Sequence, residues 1–508
     1  MTSLSHGVDE LADIGHPEPT PEAVSTIRRR EVDAIVVGGG ISGIAASVRL
    51  RRDAGLAEVL LLEKGHQLGG MWCYNTYPGS ASDIPAPLHS FEFAPNPEWS
   101  RTFATQPEML AYIQRVADEF GVTERTLFDT DVTAAQWHEP SQRWWIDTTD
   151  GAFATPVFVF EAGTLDEPAT PAVPGLDVFE GVQFHSARWN HDHDLADERV
   201  AVVGSGVSAV QLIPRIQPTV RRLVSLQPTA GWVWPKVDRP TTAAQRAMYR
   251  RFPSLQRAVR ARQLRLADRL LEYFLARRPA HHLDRVSKAH LRFRVRDRAL
   301  RRILTPTGDT GGTRLTTSND YYPALTRKNV VVVPHGVREV RARSIVSDDG
   351  TEHHVDTIIW ATGRRAVDAP LMEKLVGQQG HSLADVWGGR PRALMGTSVS
   401  GFPNAFLLGG PNSGTGNDFL TGEAQLNFVV EAVRALRVTG AASFDIRDEV
   451  VEAWKAEMST ALEQSTWASG PYRDALYGGT WSEFLARGVD FELLMFDVTW
   501  DKPAGAAR

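Results

Sequence analysis

Cysteine is almost absent from this chain, since Cys73 is the only one among 508 residues. A single thiol cannot form an intramolecular disulfide, a CxxC redox pair or a cysteine-rich zinc site. We therefore expect no disulfide chemistry and no metal site.

Long apolar runs are also missing. Runs such as VLLLE and TIIWATG end at a glycine or a charge, far short of the roughly 18 residues that a membrane-spanning helix requires. The first 30 residues have no apolar core of the kind found in secretory signals. These absences predict a cytoplasmic protein with no integral membrane segment and a flexible extension over residues 1–30.

The chain as a whole has no excess of positive charge. Its formal net charge is −6, so no nucleic-acid partner is expected. Residues 246–302 differ, because they hold 17 Arg and one Lys against four carboxylates. The ordinary interpretation of this helical stretch is a solvated basic face. The functional alternative is attraction of an anionic substrate or an acidic carrier domain.

A glycine-rich turn lies near the start of the expected fold. The apolar run at 32–37 leads into a GxGxxG motif at the start of a helical pattern over 41–52, and the glycines are Gly38, Gly40 and Gly43. Glu63 lies 20 residues beyond the motif, at the end of the next predicted strand. In a dinucleotide-binding unit the glycines permit a tight turn beside a pyrophosphate, and the acid binds ribose hydroxyls. The complete pattern predicts dinucleotide binding rather than a plain turn.

A second unit of this kind begins at Arg199. Its motif has alanine in the last position, an accepted variant, and comprises Gly204, Gly206 and Ala209. Two such turns in one chain indicate a flavin that is reduced by a nicotinamide, because each cofactor needs its own binding site. The alternative is a degenerate second unit that binds nothing.

The order of predicted elements indicates an α/β fold with two Rossmann-like dinucleotide-binding domains, the first split in sequence, and a helical insertion. The predicted FAD-binding domain comprises residues 31–195 and 355–508, the latter including a C-terminal tail. The predicted NAD(P)-binding domain spans 196–354, with the helical insert at 240–305. Among flavoproteins, disulfide reductases need paired cysteines and are excluded, amine oxidases use one dinucleotide turn, and flavin monooxygenases use two.

The segment before the second turn resembles a family fingerprint. Its FxGxxxHxxxW pattern is similar to that of the Baeyer–Villiger monooxygenases, and its residues are Phe179, Gly181, His185 and Trp189. Asn190 follows where the family usually has Pro or Asp. Residues 69–83, GGMWCYNTYPGSASD, resemble the family segment GGTWYWNRYPGxxxD, and TGGTRLTTSNDYYPALTRKNV resembles the segment with the family's catalytic arginine. With ATG at 361–363 and GFPNAFLLGGPN at 401–412, the resemblance covers nearly the whole chain from about residue 31.

This resemblance implies an FAD-dependent monooxygenase of secondary metabolism that uses NAD(P)H and O2. It implies insertion of oxygen into a ketone through a C4a-peroxyflavin, giving an ester or lactone. Arg314 then matches the catalytic arginine and Asp83 the acid that positions it. An arginine is suited to serve as a fixed cation in the active site, because its guanidinium keeps its proton.

The resemblance also implies further cofactor contacts, for some of which core packing is the alternative. These residues are Met71, Trp72, Tyr74, Asp83, Val132, Gln211, Thr229 and Asn412. His185 is expected to be structural, as a linker histidine that hydrogen-bonds backbone.

Three positions depart from the family pattern. Pro228 replaces the QRT arginine that binds the 2′-phosphate of NADPH, Thr313 replaces a lysine before Arg314, and Pro471 replaces a tryptophan of the tail. Three explanations fit these departures. The enzyme uses NADH, or other arginines such as Arg239 or those of the insert supply the missing positive charges, or the second turn is degenerate. We expect a nicotinamide-dependent enzyme whose choice between NADH and NADPH is open.

Two other functions fit part of the pattern. A related flavin monooxygenase would oxygenate nitrogen or sulfur and would not need Arg314 in the same way. A non-catalytic FAD-binding module would bind the flavin without substrate-dependent oxygen consumption. Arg314 and the fingerprint favour the reaction with a ketone.

Overall fold

Two five-stranded parallel sheets organise the chain in a computed structural model that describes residues 28–161, 168–276, 281–307, 315–363, 371–414, 416–468 and 473–500. The strands are β1 (Arg30–Glu31), β2 (Ala34–Val37), β3 (Val59–Leu62), β4 (Thr126–Leu127), β5 (Val132–His138), β6 (Arg143–Thr148), β7 (Gly151–Thr155), β8 (Val157–Glu161), β9 (Val182–His185), β10 (Arg199–Val203), β11 (Arg222–Leu226), β12 (Val233–Trp234), β13 (Thr316–Thr317), β14 (Val330–Val333), β15 (Val337–Arg341), β16 (Ser344–Ser347), β17 (Glu352–His354), β18 (Thr357–Trp360), β19 (Leu375–Val376), β20 (Ala405–Leu408), β21 (Ala441–Ile446) and β22 (Phe496–Trp500).

The helices cover the sheets and form the insertion. They are α1 (Ile41–Arg52), α2 (Met71–Tyr74), α3 (Gln106–Glu119), α4 (Val207–Ile216), α5 (Ala243–Arg251), α6 (Pro253–Phe274), α7 (His281–Arg294), α8 (Arg298–Ile303), α9 (Tyr321–Leu325), α10 (Leu371–Lys374), α11 (Leu383–Trp387), α12 (Asp418–Thr439), α13 (Asp448–Glu463) and α14 (Trp481–Arg487). Among the described helices, none combines the length and apolar character needed to cross a membrane.

The first sheet has the order β20-β8-β2-β3-β4, and all its pairings are parallel. Strands β2, β3 and β8 are almost wholly apolar and buried, as expected for strands covered on both faces. Strand β20 comes from the C-terminal half and completes the sheet beside β8. The first sheet is therefore built from two separate parts of the chain.

The second sheet has the order β14-β11-β10-β18-β9 and is also parallel throughout. Strands β9 and β18 belong to it, although both lie outside the predicted boundaries 196–354. This corrects those boundaries, because the second unit extends from about residue 182 to about 363. The prediction placed the limits around the glycine motif that follows β10, whereas β9 and β18 join this sheet through pairings between distant segments.

Smaller layers connect these sheets. A third sheet contains the antiparallel strands β5, β6 and β7, flanked by β1 and β19. The helical insertion predicted at 240–305 is present as α5 to α8. Helix α12 packs on α1 in one apolar core, which includes Ile44, Val48, Leu426 and Val430. This packing fixes the helix that begins at the first glycine turn.

Candidate cofactor and active site

The first glycine turn connects β2 to α1. Gly38 has a φ of +103°, a conformation that favours glycine. A Cβ on Gly43 would lie 1.9 Å from the carbonyl oxygen of Gly38. Both positions therefore require glycine for the turn to close against the helix, as a dinucleotide-binding turn does.

Glu63 follows β3 and lies beside this turn. Its carboxylate accepts hydrogen bonds from the backbone N–H of Gly39 at 2.5 Å and of Gly65 at 2.6 Å, and the residue is 7% exposed. Its carbonyl accepts from the N–H of Thr130 at 3.0 Å, two residues before Val132. The structure thus gathers Glu63, the turn and the start of β5 in one place.

Glu161, at the end of β8, is a neighbour of the turn that the motif analysis missed. A Cβ on Gly40 would lie 2.6 Å from Oε2 of Glu161, and one on Gly38 would lie 3.2 Å from its Cβ. A carboxylate therefore lies at the N-terminus of α1, where the motif predicts a pyrophosphate. An acid that ends an otherwise apolar strand was the available signal in the sequence.

Helix α2 packs directly on the first turn. The N–H of Gly69 donates to the carbonyl of Gly39 at 2.9 Å, and α2 contains the predicted residues Met71, Trp72 and Tyr74. Trp72 is 6% exposed, and its indole Nε1 is buried with no hydrogen-bond acceptor among the described residues. A buried donor of this kind fits an acceptor that a bound flavin would supply.

Tyr74 has a different environment. The guanidinium of Arg188 lies over its ring, 4.5 Å from the centroid. This cation–π contact joins α2 to the turn that follows the fingerprint strand β9.

The second glycine turn connects β10 to α4. Gly204 has a φ of +128°, and a Cβ there would lie 2.2 Å from the carbonyl oxygen of Ala361. A Cβ on Gly206 would meet no atom within 4 Å, so space lies in front of the turn. Ala209 is fully buried, and the carbonyl of Thr229 accepts from the hydroxyl of Ser205 at 2.7 Å. The geometry fits a pyrophosphate approaching the backbone, and argues against a collapsed second unit.

Gln227, at the position after β11, contributes a buried polar group near this turn. Its Oε1 accepts from the hydroxyl of Tyr321 at 3.2 Å, and its Nε2 has no acceptor among the described residues. Burial raises the pKa of Tyr321 far above its usual value, so the phenol stays a neutral donor. Gln227 is therefore held in place with one donor group available.

Asp83 lies where the two units meet. Its Oδ1 accepts from Nε2 of Gln211 at 3.3 Å, from the hydroxyl of Thr317 at 3.4 Å and from Nζ of Lys236 at 3.4 Å. All three donors belong to the second unit, whereas Asp83 belongs to the first. The structure thus brings Asp83 and Gln211 together, two residues that the sequence analysis named separately.

The side chain of Gln211 is committed to protein contacts. Its Oε1 accepts from the hydroxyl of Tyr77 at 2.9 Å and from the N–H of Ala81 at 3.3 Å, and its Nε2 donates to the carbonyl of Ala81 at 2.9 Å. The predicted contact between Gln211 and a nicotinamide cofactor would therefore have to replace hydrogen bonds that join the two units.

Lys236 has no signal in the sequence that identifies it as a site residue. It follows β12 and carries the only ammonium group that the described residues place on Asp83. Its Nζ also donates to the carbonyl of Ser82 at 3.0 Å. Pairing of this kind arises from tertiary structure and not from local spacing.

The fingerprint residues form the edge of the second sheet. A Cβ on Gly181 would lie 2.2 Å from the carbonyl oxygen of Asp356, which explains the glycine just before β9. His185 ends β9, and its Nδ1 accepts from the N–H of Ala187 at 3.1 Å. Trp189 packs edge-on against Phe184 with 5.0 Å between ring centroids. Phe179 packs on the opposite core of the same sheet, so the described contacts of the fingerprint are those of a structural element.

Of the remaining predicted residues, one lies in the described part of the chain and three lie outside it. Asn412 has a φ of +54°, and its side chain donates to the carbonyl of Leu476 at 3.3 Å. Arg314, Thr313 and Pro471 lie outside the described residues. Thr317, three positions after Arg314 in sequence, lies in the described part of the chain, and its hydroxyl donates to the carboxylate of Asp83. No group of three or more potential metal-binding side chains occurs in the described part of the chain.

Known proteins resemble this chain over most of its length. A family model described as flavin-binding monooxygenase-like matches residues 31–384. A Baeyer–Villiger monooxygenase of Streptomyces coelicolor A3(2) is 39% identical over 488 residues, which cover 93% of this chain and 94% of that protein. The solved structure of cyclohexanone monooxygenase from Rhodococcus sp. Phi1 bound to NADP+ has a TM-score of 0.83 and 26% identity, covering 93% of this chain and 100% of that one. An oxidised steroid monooxygenase bound to NADP has a TM-score of 0.80 and 29% identity, with the same coverage.

Proposed function

The chain belongs to the flavin-binding monooxygenase-like family and is a Baeyer–Villiger monooxygenase, and from this premise we propose how its own residues serve the reaction. FAD binds at the turn from Gly38 to Gly43, and a nicotinamide cofactor binds at the turn from Gly204 to Ala209. The bound flavin, reduced by the nicotinamide, supplies the oxygen chemistry. The substrate is a small ketone, which is converted to an ester or lactone.

The two units serve as two Rossmann-like dinucleotide-binding domains. The first, split between the N-terminal and C-terminal parts of the chain, holds FAD, and the second, from about 182 to 363, holds NAD(P). In each unit the N–H groups at the start of a helix face the phosphates. Trp72 places its unpaired indole N–H beside the flavin, and Glu63 binds the adenosine ribose.

The observation that carries this proposal is the position of Asp83 at the junction of the two units. Helix α4, which begins at the second turn, supplies Gln211 to this carboxylate, and the segment ending in Asp83 begins at α2 on the first turn. A group placed there reaches the region where two cofactor rings would meet. Asp83 positions the guanidinium of Arg314, which stabilises negative charge that develops during oxygen transfer.

The exposed face of α6 supports a further detail about the substrate. Arg257, Arg262, Arg265 and Arg269 are exposed on this helix, and Leu266 between them is 52% exposed. The acid Asp268 is turned away, because it accepts from the N–H of Trp481 at 2.9 Å. This face attracts an anionic substrate, or an acidic carrier domain that presents one.

A direct assay tests the proposed activity. The purified protein is expected to be yellow and to oxidise NADPH or NADH in the presence of O2 and a suitable ketone, with formation of an ester or lactone. Mass spectrometry with 18O2 is expected to show one labelled oxygen in the product. Oxidation of an amine or sulfide with no ester from any ketone would contradict the proposal.

The choice of nicotinamide gives a second expected result. Pro228 and Thr313 stand where two positive charges would meet the 2′-phosphate, and each such contact contributes about 1.5–3 kcal/mol. We therefore expect kcat/KM for flavin reduction with NADPH to exceed that with NADH by less than roughly a hundredfold. A larger preference would mean that other side chains, such as Arg239 or arginines of the insert, bind the phosphate.

Glu161→Gln is expected to tighten FAD binding. The carboxylate of Glu161 and the pyrophosphate are both anionic and share the N-terminus of α1, so removal of one charge lowers their repulsion. We expect the Kd for FAD, measured by titrating the apoprotein, to fall several-fold. Glu58→Gln is the matched control, since Glu58 is an exposed acid paired with Arg30, and it should not change the Kd. Weaker FAD binding by Glu161→Gln would show instead that the carboxylate supports the cofactor.

A further inference from the structure

His89 is a buried titratable side chain with no role in the reaction described above. It lies six residues after Asp83 and is 6% exposed. Its ring lies between two aromatic rings in edge-on arrangements, with centroid distances of 6.0 Å to Trp72 and 4.8 Å to Phe419. At such distances edge-on rings attract each other. The orientation of His89 is therefore linked to that of Trp72, whose indole is expected beside the flavin.

The hydrogen bonds of Asn417 determine which ring nitrogen of His89 carries a proton. The amide Nδ2 of Asn417 donates to the carbonyl of Leu88 at 3.2 Å, and its Oδ1 accepts from the N–H of Leu420 at 3.4 Å. Because Oδ1 is the acceptor end of this amide, Nδ1 of His89, which lies 3.2 Å from it, is the donor. This hydrogen bond fixes the orientation of the imidazole ring.

Asn417 links His89 to the start of α12. It is fully buried, and it caps this helix. The glycine-rich turn that precedes α12 is held against it, because the carbonyl of Ser413 accepts from the hydroxyl of Thr421 at 3.4 Å. This turn contains Asn412, one of the expected cofactor contacts. His89 therefore contacts two segments that are both expected at the flavin, namely α2 and the start of α12.

We propose that His89 is a positioning residue for FAD, which sets the orientation of Trp72 relative to the start of α12. This inference rests on the proposed function, since it concerns the FAD site of the first unit. An imidazole suits this role because it combines a flat ring with a hydrogen-bond donor on its edge. Phenylalanine would offer the ring without the donor, and asparagine would offer the donor without the ring.

The test measures FAD binding by the apoprotein of His89→Phe. This variant keeps a ring beside Trp72 but loses the hydrogen bond that orients it. We expect the Kd for FAD to rise roughly three- to tenfold, as for loss of one hydrogen bond, and the visible absorption spectrum of the bound flavin to change. A lower thermal midpoint of the apoprotein with an unchanged Kd and spectrum would make His89 a core residue only and would overturn the inference.

His290→Phe is the matched control. His290 is 9% exposed, its Nε2 hydrogen-bonds to the carbonyl of Ser318 at 3.0 Å, and its ring centroid lies 5.4 Å from that of Tyr322. It therefore matches His89 in burial and in kinds of contact, but it belongs to α7 of the insertion. Its Kd for FAD and its flavin spectrum are expected to equal those of the wild type. An equal rise in Kd would show a general effect of removing a buried histidine and would also overturn the inference.

A double-mutant cycle shows whether His89 acts through Trp72. Trp72→Phe removes the indole N–H and should itself raise the Kd for FAD, and His89→Phe should then add less than about twofold. Fully additive losses would contradict the inference. If His89→Phe does not fold, His89→Asn replaces it, and its Kd should rise because the ring beside Trp72 is gone. A wild type that binds no FAD would contradict the proposed function as well, whereas a wild type that binds FAD as tightly as the His89 variant would contradict the inference alone.

Discussion

Arg314→Ala is expected to abolish ketone oxygenation while FAD stays bound and NAD(P)H is still oxidised. In the proposed arrangement the first glycine turn holds the flavin's phosphates, and hydride transfer depends mainly on how the rings are stacked. Oxygen transfer differs, because negative charge develops beside the flavin and needs a fixed cation. Removal of one such donor costs about a hundredfold to a thousandfold in rate. The measurement is product formed per NAD(P)H oxidised, together with hydrogen peroxide released.

Two further variants sharpen this result. Arg314→Lys should restore little activity, because a compact ammonium cannot reproduce the forked donor set of a guanidinium. Asp83→Ala should impair the reaction less completely, because it removes orientation rather than the cation itself. An Arg314→Ala enzyme that converts the ketone at a near wild-type rate would contradict the assigned role and favour heteroatom oxygenation.

Gly43→Val is expected to eliminate FAD retention. Even a Cβ at this position would lie 1.9 Å from the carbonyl oxygen of Gly38, and backbone cannot yield to it without moving the turn away from α1. Overpacking of this kind usually costs about 1–3 kcal/mol, and here it distorts the turn to which we assign the flavin's phosphates. The ratio of flavin absorbance to protein absorbance after gel filtration measures the loss.

Two other glycines are the controls for this experiment. Gly206→Ala adds a methyl group with no atom within 4 Å, so the protein should fold and keep FAD while its KM for NAD(P)H rises. Gly40→Ala meets the carboxylate end of Glu161 at 2.6 Å, which can move, so the FAD loss should be smaller than for Gly43→Val. Full FAD content in Gly43→Val would mean that the first turn is misassigned.

The two glycine turns could be predicted because their spacing reflects backbone geometry. Gly38 and Gly204 have positive φ, and Gly43 has no room for a side chain. Such constraints act within a few residues and therefore appear in the sequence. The assignment of β9 and β18 to the second sheet could not be predicted in this way. Their pairing, Thr357 with Val182, joins strands that are far apart in the chain.

The same distinction holds for the site. Asp83 was found because it ends a segment that resembles a family motif, whereas its partner Lys236 lies 153 residues away in a stretch without a motif. Glu161 had a weak signal, as the one acid of a buried strand. The sequence analysis named Gln211 as a cofactor ligand. The hydrogen bonds that its side-chain amide makes to the first unit depend on how the two units pack, which the sequence does not show. Contacts between distant segments are decided by tertiary structure, which local patterns do not encode.

The position of β20 has a consequence for synthesis on the ribosome. Every strand of the second sheet has been made once residue 360 has emerged, but the first sheet lacks β20, at residues 405–408, until later. Because domains generally fold as units during translation, the unit that is second in sequence can complete its sheet first. The N-terminal strands must wait with one apolar side of β8 unpaired. The nascent first unit therefore depends on the last quarter of the chain, and a truncation before residue 405 would leave an exposed sheet edge prone to aggregation.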